Sequence, residues 1–310
     1  MLKIIILMQK SIRRFIARTA RKMRFLPSKT YVKYHYEYFS GKKLNLDDPQ
    51  EFNAKIEWYK VYYRPKILTR LADKYEVRSY VEEKIGAQYL NELYGVYDNG
   101  NDINFESLPD QFIVKANHTN SQNLIVKNKK ALNKKKAIKL FNKWLSKNQY
   151  YKKGQEWAYK DIKPKLVIER FLKENDRNTL VDYKFYCFDG KPKFIDVHMD
   201  REDDHKQGCF DLDFNLLPFG KSKNYKTIPS DIEKPSNLPE MVNLVEKLAD
   251  KLPFVRVDFY SVNGKSIFGE MTFYPADARK DFYPDEYNKI IGDYFKLPKL
   301  NNGQPITEYN

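Results

Sequence analysis

The run Phe254-Val255-Arg256-Val257-Asp258-Phe259 places charge where a strand would normally be apolar. Successive side chains of a strand point to opposite faces, so Arg256 and Asp258 share one face while Val255, Val257 and Phe259 share the other. Ser266 to Phe273 reads as the return strand across Asn263-Gly264, and on it Glu270 and Thr272 share a face. A core strand that buries Val and Phe on one side and holds Arg, Asp and Glu on the other is costly unless a ligand or metal offsets the charge. Two carboxylates at this separation can hold Mg²⁺, which takes oxygen ligands and leaves positions open to phosphate. The competing reading is an ion-paired face turned to solvent. Register separates the two. A two-residue turn at Asn263-Gly264 pairs Asp258 with Gly269 and puts Glu270 on the wrong face. A three-residue loop, Val262-Asn263-Gly264, instead pairs Arg256 with Glu270 and Asp258 with Phe268. The metal reading requires that loop or a bulge.

A second stretch, Val114-Lys115-Ala116-Asn117-His118-Thr119-Asn120-Ser121, ends a strand in a lysine before a polar loop. Such a lysine can set its charge on phosphates while loop N–H groups and hydroxyls wrap the rest. It lacks the glycines of a Walker A loop and is not G-x-G-x-x-G. Lys184 lies mid-strand beside Asp182 and Tyr186, and by itself reads equally well as a surface lysine.

The elements that must position these residues follow from local signals. A helix is expected from Asp73, with Tyr75, Val77, Val81 and Ile85 on its apolar face and Gly86 as its stop. Strands are expected at Phe112 to Lys115, at Leu124 to Val126 and at Lys165 to Phe171. A Lys-rich helix is expected between Asn128 and Lys147, with Leu132, Ile138, Leu140, Phe141, Trp144 and Leu145 as apolar positions. Asp182 to Phe188 pairs across Asp189-Gly190 with Lys193 to Met199. Met241, Leu244, Val245, Leu248 and Leu252 form a helical stripe closed by Pro253. No internal repeat or low-complexity linker interrupts the chain, and the sum is an α+β protein.

Composition bounds the partners. The 310 residues suffice for one large domain or two lobes, and 24 Tyr with 20 Phe are too many for a disordered chain. The formal charge of +15 favours nucleotides, acidic polysaccharide, an anionic membrane face or nucleic acid, unless it is simply a solvated basic surface. Only two cysteines occur, Cys187 and Cys209, in no zinc or disulfide-scaffold spacing, so the chain reads as cytoplasmic. The histidines, His35, His118, His198 and His205, are scattered, which argues against zinc. Residues 1 to 36 hold ten Lys or Arg and no acid. There Met8, Ile12, Phe15, Ile16 and Met23 follow helical spacing, with Arg13, Arg14, Arg18 and Arg21 on other faces. Residues 1–24 therefore suit an anionic membrane surface, the alternative being a stripe packed on the rest of the protein. The run Ile4 to Met8 is too short to span a membrane.

In this order, the pieces resemble the ATP-grasp fold, and within it the branch named for the teichuronopeptide-synthesis protein TupA. The resemblance spans roughly residues 40 to 295. It rests on Pro49-Gln50-Glu51-Phe52-Asn53-Ala54-Lys55-Ile56, Ala72-Asp73-Lys74-Tyr75-Glu76-Val77-Arg78, Val114 to His118, Asp182-Tyr183-Lys184-Phe185, Arg256 to Tyr260 and Gly269-Glu270-Met271-Thr272-Phe273-Tyr274-Pro275. It implies two α+β lobes enclosing ATP, after a basic helical N-terminal region (1–65). Residues 66–172 would then form the N-terminal part and lid lobe, 173–300 the C-terminal lobe with the metal site, and 301–310 a tail. It further implies phosphate contacts from Lys115 and Lys184, a closing loop from His118 through Ser121 to Asn123, and Glu169 beside adenine and ribose. Asp258 and Glu270 match the Mg²⁺ carboxylates, and Thr272 stands where the family usually has Asn as third ligand. Arg256 matches an arginine that steadies charge on the reacting carboxylate. The implied activity is ATP-dependent carboxylate–amine ligation through an acylphosphate, joining an amino acid to a uronic acid or related group of a bacterial surface polysaccharide. Two other classes compete. Glycosyl transfer would use Asp211-Leu212-Asp213 as a DxD metal motif. A basic RNA- or membrane-binding module would need an exposed sheet face such as Tyr183, Phe185, Lys191 and Lys193, but no RNP-type motif occurs and no nucleic acid is expected.

Overall fold

Largely buried central strands and two tight turns shape the C-terminal half of the protein. The computed structural model describes residues 12, 15–20, 22–23, 25–152, 154–173, 180–199, 204–221, 226–229 and 232–309. Strand β5 (Asp182–Phe188) is buried along its whole length and lies centrally in a six-stranded sheet of order β10-β9-β5-β6-β7-β8. The other strands are β6 (Lys191–Met199), β7 (Lys206–Phe210), β8 (Lys226–Thr227), β9 (Phe254–Val262) and β10 (Lys265–Thr272), of which β6 and β9 flank it. Asp189-Gly190 and Asn263-Gly264 each close a two-residue hairpin with both residues at positive φ, the conformation these dipeptides favour. Helix α6 (Leu238–Ala249) presses its Met241, Leu244, Val245 and Leu248 stripe onto β5, β6 and β9, but it ends at Ala249, before Pro253, with Asp250 at positive φ.

The smaller sheet has order β1-β4-β2-β3 and is antiparallel throughout: β1 (Leu93–Tyr97), β2 (Phe112–Ala116), β3 (Asn123–Val126) and β4 (Leu166–Arg170). It has its own apolar core around Phe112, Val114, Phe141, Leu166 and Ile168, under helix α5 (Lys134–Leu145). That helix starts later than its apolar pattern suggested. Asn133 caps it by accepting from Lys136 N, while Lys129–Ala131 forms a separate 3₁₀ turn, so Leu132 sits outside.

Helices α1 (Ser28–Ser40), α2 (Phe52–Tyr62), α3 (Ile67–Ala72), α4 (Val77–Ile85) and α7 (Tyr287–Tyr294) complete the larger core. Asp73 starts α4 by accepting from the N–H groups of Tyr75 and Glu76, and Gly86 ends it. In the N-terminal segment, residues 15–20 are helical. Ala17 and Ala20 are buried, whereas Ile12, Phe15, Ile16 and Met23 are exposed, so those members of the stripe do not pack on the protein. Met8, Arg13, Arg14, Arg21 and the run 4–8 lie outside the described residues. Among the described residues no helix is long and apolar enough to cross a membrane.

Candidate functional site

The charged face of the large sheet is a set of rungs that cross strands. Glu270 pairs with Asp258, Asp258 with Lys184, and Lys184 with Asp196. The next rung is Thr272, Arg256, Tyr186 and Phe194. Glu270 reaches the first rung through a bulge. The turn at Asn263-Gly264 is the two-residue kind, pairing Val262 with Lys265, but the register shifts by one residue between Phe268 and Glu270. Gly269 is the extra residue, and the shift puts Glu270 back on the face of Asp258. A Cβ at Gly269 would lie 3.0 Å from Asp258 O and 3.3 Å from the Tyr260 ring. Gly269→Val should therefore strain the bulge, costing about 1–3 kcal/mol, and part the two carboxylates. Calorimetry with MgATP should show weakened binding together with a lower melting temperature. Unchanged values of both would mean that the register does not depend on this glycine.

Around the bulge the charges interlock. Arg256 donates to Asp258 through Nε and Nη2, both at 2.7 Å, and through Nη2 to Glu270 at 2.9 Å and to the Thr272 hydroxyl at 3.1 Å. Lys184 Nζ donates to Asp258 at 2.6 Å and lies 3.6 Å from Asp182. Burial alone would raise the Glu270 carboxyl. Lys74, Arg256 and Lys184 overcome it, with a hydrogen bond from Thr272, and hold the group at about 2. Asp196 behaves alike: burial opposes ionisation, yet His198, Gln207 and Lys221 bring it to about 2. Asp258, Glu270 and Thr272 are all oxygen donors, a hard set that fits Mg²⁺ and leaves room for phosphate oxygens.

The opposing wall comes from the small sheet and the helices before it. Lys115 lies on β2 and donates to Glu169 Oε2 on β4 at 2.7 Å, while Arg78 on α4 donates to Glu169 Oε1 at 3.0 Å, so both oxygens of Glu169 are engaged. Thr119 to Asn123 form a rim over the cavity, with Ser121 exposed and at φ 64°. His118 does not line the cavity. It is buried behind the loop, its Nδ1 3.1 Å from Asn117 Oδ1, and burial lowers its pKa. Lys74 was not singled out from the sequence, although it stands in the quoted Ala72 to Arg78 motif. Its Nζ donates to Thr119 O at 2.7 Å and lies 3.8 Å from Glu270, bridging rim and carboxylate; burial lowers its pKa against the pull of Glu270. Between the walls lies a cavity of about 420 Å³ that Lys74, Lys115, Lys184, Arg256, Asp258 and Glu270 all line.

The fold also brings together residues that looked unrelated. His198 Nδ1 and His205 Nε2 are 2.8 Å apart, and His198 Nε2 is 3.2 Å from Asp196. Among the described residues no group of three His, Cys, Asp or Glu side chains is arranged to hold a metal. Asp211-Leu212-Asp213 is a turn: Asp211 Oδ1 accepts from the N–H groups of Asp213 and Asn215, and its Oδ2 from the Asn215 side chain. Tyr183 and Phe185 are buried, so they form no exposed base-stacking face.

Among solved structures, the chain is similar to D-alanine–D-alanine ligase from Bacillus anthracis, at 19% identity and a TM-score of 0.40, covering 71% of this chain and 64% of that one. The same enzyme from Helicobacter pylori matches at 16% identity and a TM-score of 0.43, covering 81% and 68%. Phosphoribosylamine–glycine ligase from Thermotoga maritima matches at 13% identity and a TM-score of 0.41, covering 69% and 50%. The chain thus spans less than two thirds of the length of the first of these proteins. A search of curated proteins gave no match. Over residues 54–296 the chain matches the TupA-like ATPgrasp family; it belongs to that family, and its two-sheet α+β architecture is the ATP-grasp fold.

Proposed function

We propose that this protein is an ATP-dependent carboxylate–amine ligase that joins an amino acid to a uronic acid or related acidic sugar during synthesis of a bacterial surface polysaccharide. The observation that carries the reading is the rung Glu270–Asp258–Lys184, with Arg256 beside it, facing Lys74 and Lys115 across one cavity. That arrangement suits a nucleotide triphosphate, with cations for its phosphates and carboxylates for a divalent ion. Asp258, Glu270 and Thr272 would hold Mg²⁺, which when bound offsets phosphate charge. Lys115, Lys74 and Lys184 would bind phosphate oxygens, the rim from Thr119 to Asn123 would cover them, and Glu169 would stand near adenine and ribose. His118 would serve by positioning that rim.

The substrate carboxylate would then attack the γ-phosphorus in line, forming an acylphosphate while the bond to the β,γ-bridging oxygen breaks and ADP leaves. The amine nitrogen would attack the acyl carbon and give up a proton, and phosphate would depart. Arg256, directed into this region by Asp258, would steady the oxyanion. The basic surface and the exposed Ile12, Phe15 and Ile16 are consistent with work on an acidic glycan at an anionic membrane face from the cytoplasmic side. Glycosyl transfer has less support, because the Asp211 carboxylate is already committed to its turn.

The test is ADP and phosphate release from ATP and Mg²⁺ across pools of uronic acids and amino acids. Release that requires both a carboxylate and an amine is expected. Absence of any ATP binding would overturn the reading.

A further inference from the structure

Lys221 sits in the wall of the same cavity and has no part in the chemistry above. It is 6% exposed, and among the described residues its Nζ has no hydrogen-bond partner. Three aromatic rings cage it, with centroids 5.4 Å (Phe52), 4.9 Å (Tyr186) and 4.8 Å (Phe282) from Nζ. The backbone beside it is pinned by reciprocal hydrogen bonds between Gly220 and Tyr283. Aromatic faces attract an ammonium but accept none of its protons as an oxygen would, so its donors are left for something else. Tyr186 is on the rung of Arg256, so Lys221 lies on the Arg256 side of the site. Arg279 and Lys280 line the same cavity. Asp196 is the main counter-charge acting on Lys221, and its Oδ1 already accepts from Gln207 at 2.6 Å.

We propose that Lys221 is a specificity-determining residue that binds a second, non-reacting anionic group, a carboxylate of an acidic acceptor whose other carboxylate lies at Arg256. This rests on the ligase reading for what happens at Arg256, but not for the binding of the anion. The acceptor is therefore a di- or polyacid rather than a simple monoacid. A buried ammonium that waits for a ligand is destabilising in its absence, which separates this role from a structural one.

The experiment is calorimetric titration of the full-length protein, with Mg²⁺ and ADP present, using trigalacturonate, tri-L-glutamate and uncharged maltotriose. One of the two acidic trimers is expected to bind and maltotriose not to; the tighter arm tells a sugar-acid acceptor from a peptide one. Lys221→Met should weaken that binding about tenfold or more, while ADP affinity stays within about twofold. Its melting temperature should rise by about 2 °C, since a methionine fits an aromatic cage without an unsatisfied charge. Unchanged trimer binding in Lys221→Met, a lowered melting temperature, or no binding of either trimer by the wild type would each overturn the proposal. Trimer binding that depends on Lys221 in a protein that binds no ADP would uphold it and sink the ligase reading instead.

Discussion

Glu270→Gln should lower ADP release by about a thousandfold with a smaller fall in melting temperature than Asp258→Asn, which should lower both markedly. The rate loss follows from removing one of two anionic oxygen ligands. Charge stabilisation by a bound divalent ion is worth several kcal/mol in phosphoryl transfer, and about 4 kcal/mol is a factor of a thousand. The difference in stability follows from the hydrogen bonds. Glu270 holds Arg256 through one contact at 2.9 Å, and without its charge Arg256 keeps both bonds to Asp258. Asp258 is the sole carboxylate within 3 Å of Lys184 among the described residues, and it also takes two bonds from Arg256. Neutralising it leaves two largely buried cations undercompensated, at a cost of about 3–5 kcal/mol. Glu270→Gln is thus the cleaner test of the metal assignment. Because Glu270 is held at about 2, it stays ionised through the neutral range, and no loss of activity between pH 5 and 8 should trace to it. If both variants turn over at the wild-type rate, these carboxylates do not hold the metal.

How far this site was readable from the sequence depended on the distance over which the signal acts. Period-2 alternation and the turn dipeptides Asp189-Gly190 and Asn263-Gly264 mark the two hairpins, since hydrogen bonds and side-chain faces there are set within a few residues. The bulge at Gly269 was open as one of two ways to bring Glu270 onto the face of Asp258; alternation alone does not choose between a longer loop and an inserted residue. Helix α2 was invisible as a helix because it is buried nearly all round, Lys55 being its one residue that is not. Its polar residues Asn53, Glu57 and Lys60 are themselves buried, on partners that only the fold brings near, so burial there does not follow residue type. Lys221 was equally hidden: a lysine before a polar run reads as solvated, and only the fold brings Phe52, Tyr186 and Phe282 around it. The pair His198 and His205 became neighbours through the pairing of β6 with β7, and β7 (Lys206–Phe210) was not anticipated in a stretch containing glycine.

The same long-range logic yields an equally large expected effect on stability, at a residue outside the chemistry. Asp277→Ala should lower stability by about 3–5 kcal/mol, because it removes one partner from a buried ionic cluster. Lys60 Nζ donates to Asp277 Oδ1 at 2.8 Å, and His35 Nε2 lies 3.3 Å from Oδ2. Glu57 closes the cluster, at 2.6 Å from His35 Nδ1 and 3.1 Å from Lys60. Two cations from α1 and α2 are thereby matched by two anions, all four essentially inaccessible to water. Ala276, Asp277 and Ala278 all have positive φ, a conformation that costs each non-glycine residue free energy unless tertiary contacts enforce it. Pro275 and Ala276 line the cavity, so the cluster fixes one of its walls from behind. Burial opposes ionisation of Asp277, but Lys60 and His35 outweigh it and depress its pKa. Its stabilisation is therefore complete above the ordinary carboxylate range and is lost as pH falls through the depressed value. His35 runs the other way: burial lowers its pKa, yet Glu57 and Asp277 bring it above the ordinary value, so its share is complete at acid pH and fades as pH rises. Denaturant unfolding of wild type and Asp277→Ala should accordingly differ most near pH 5 to 6, where both charges are present, and the gap should narrow below about pH 4. Glu106→Ala, at an exposed ion pair with Lys134, should track wild type at every pH and serves as the control. A gap no larger for Asp277→Ala than for Glu106→Ala would mean that the cluster does not hold this wall.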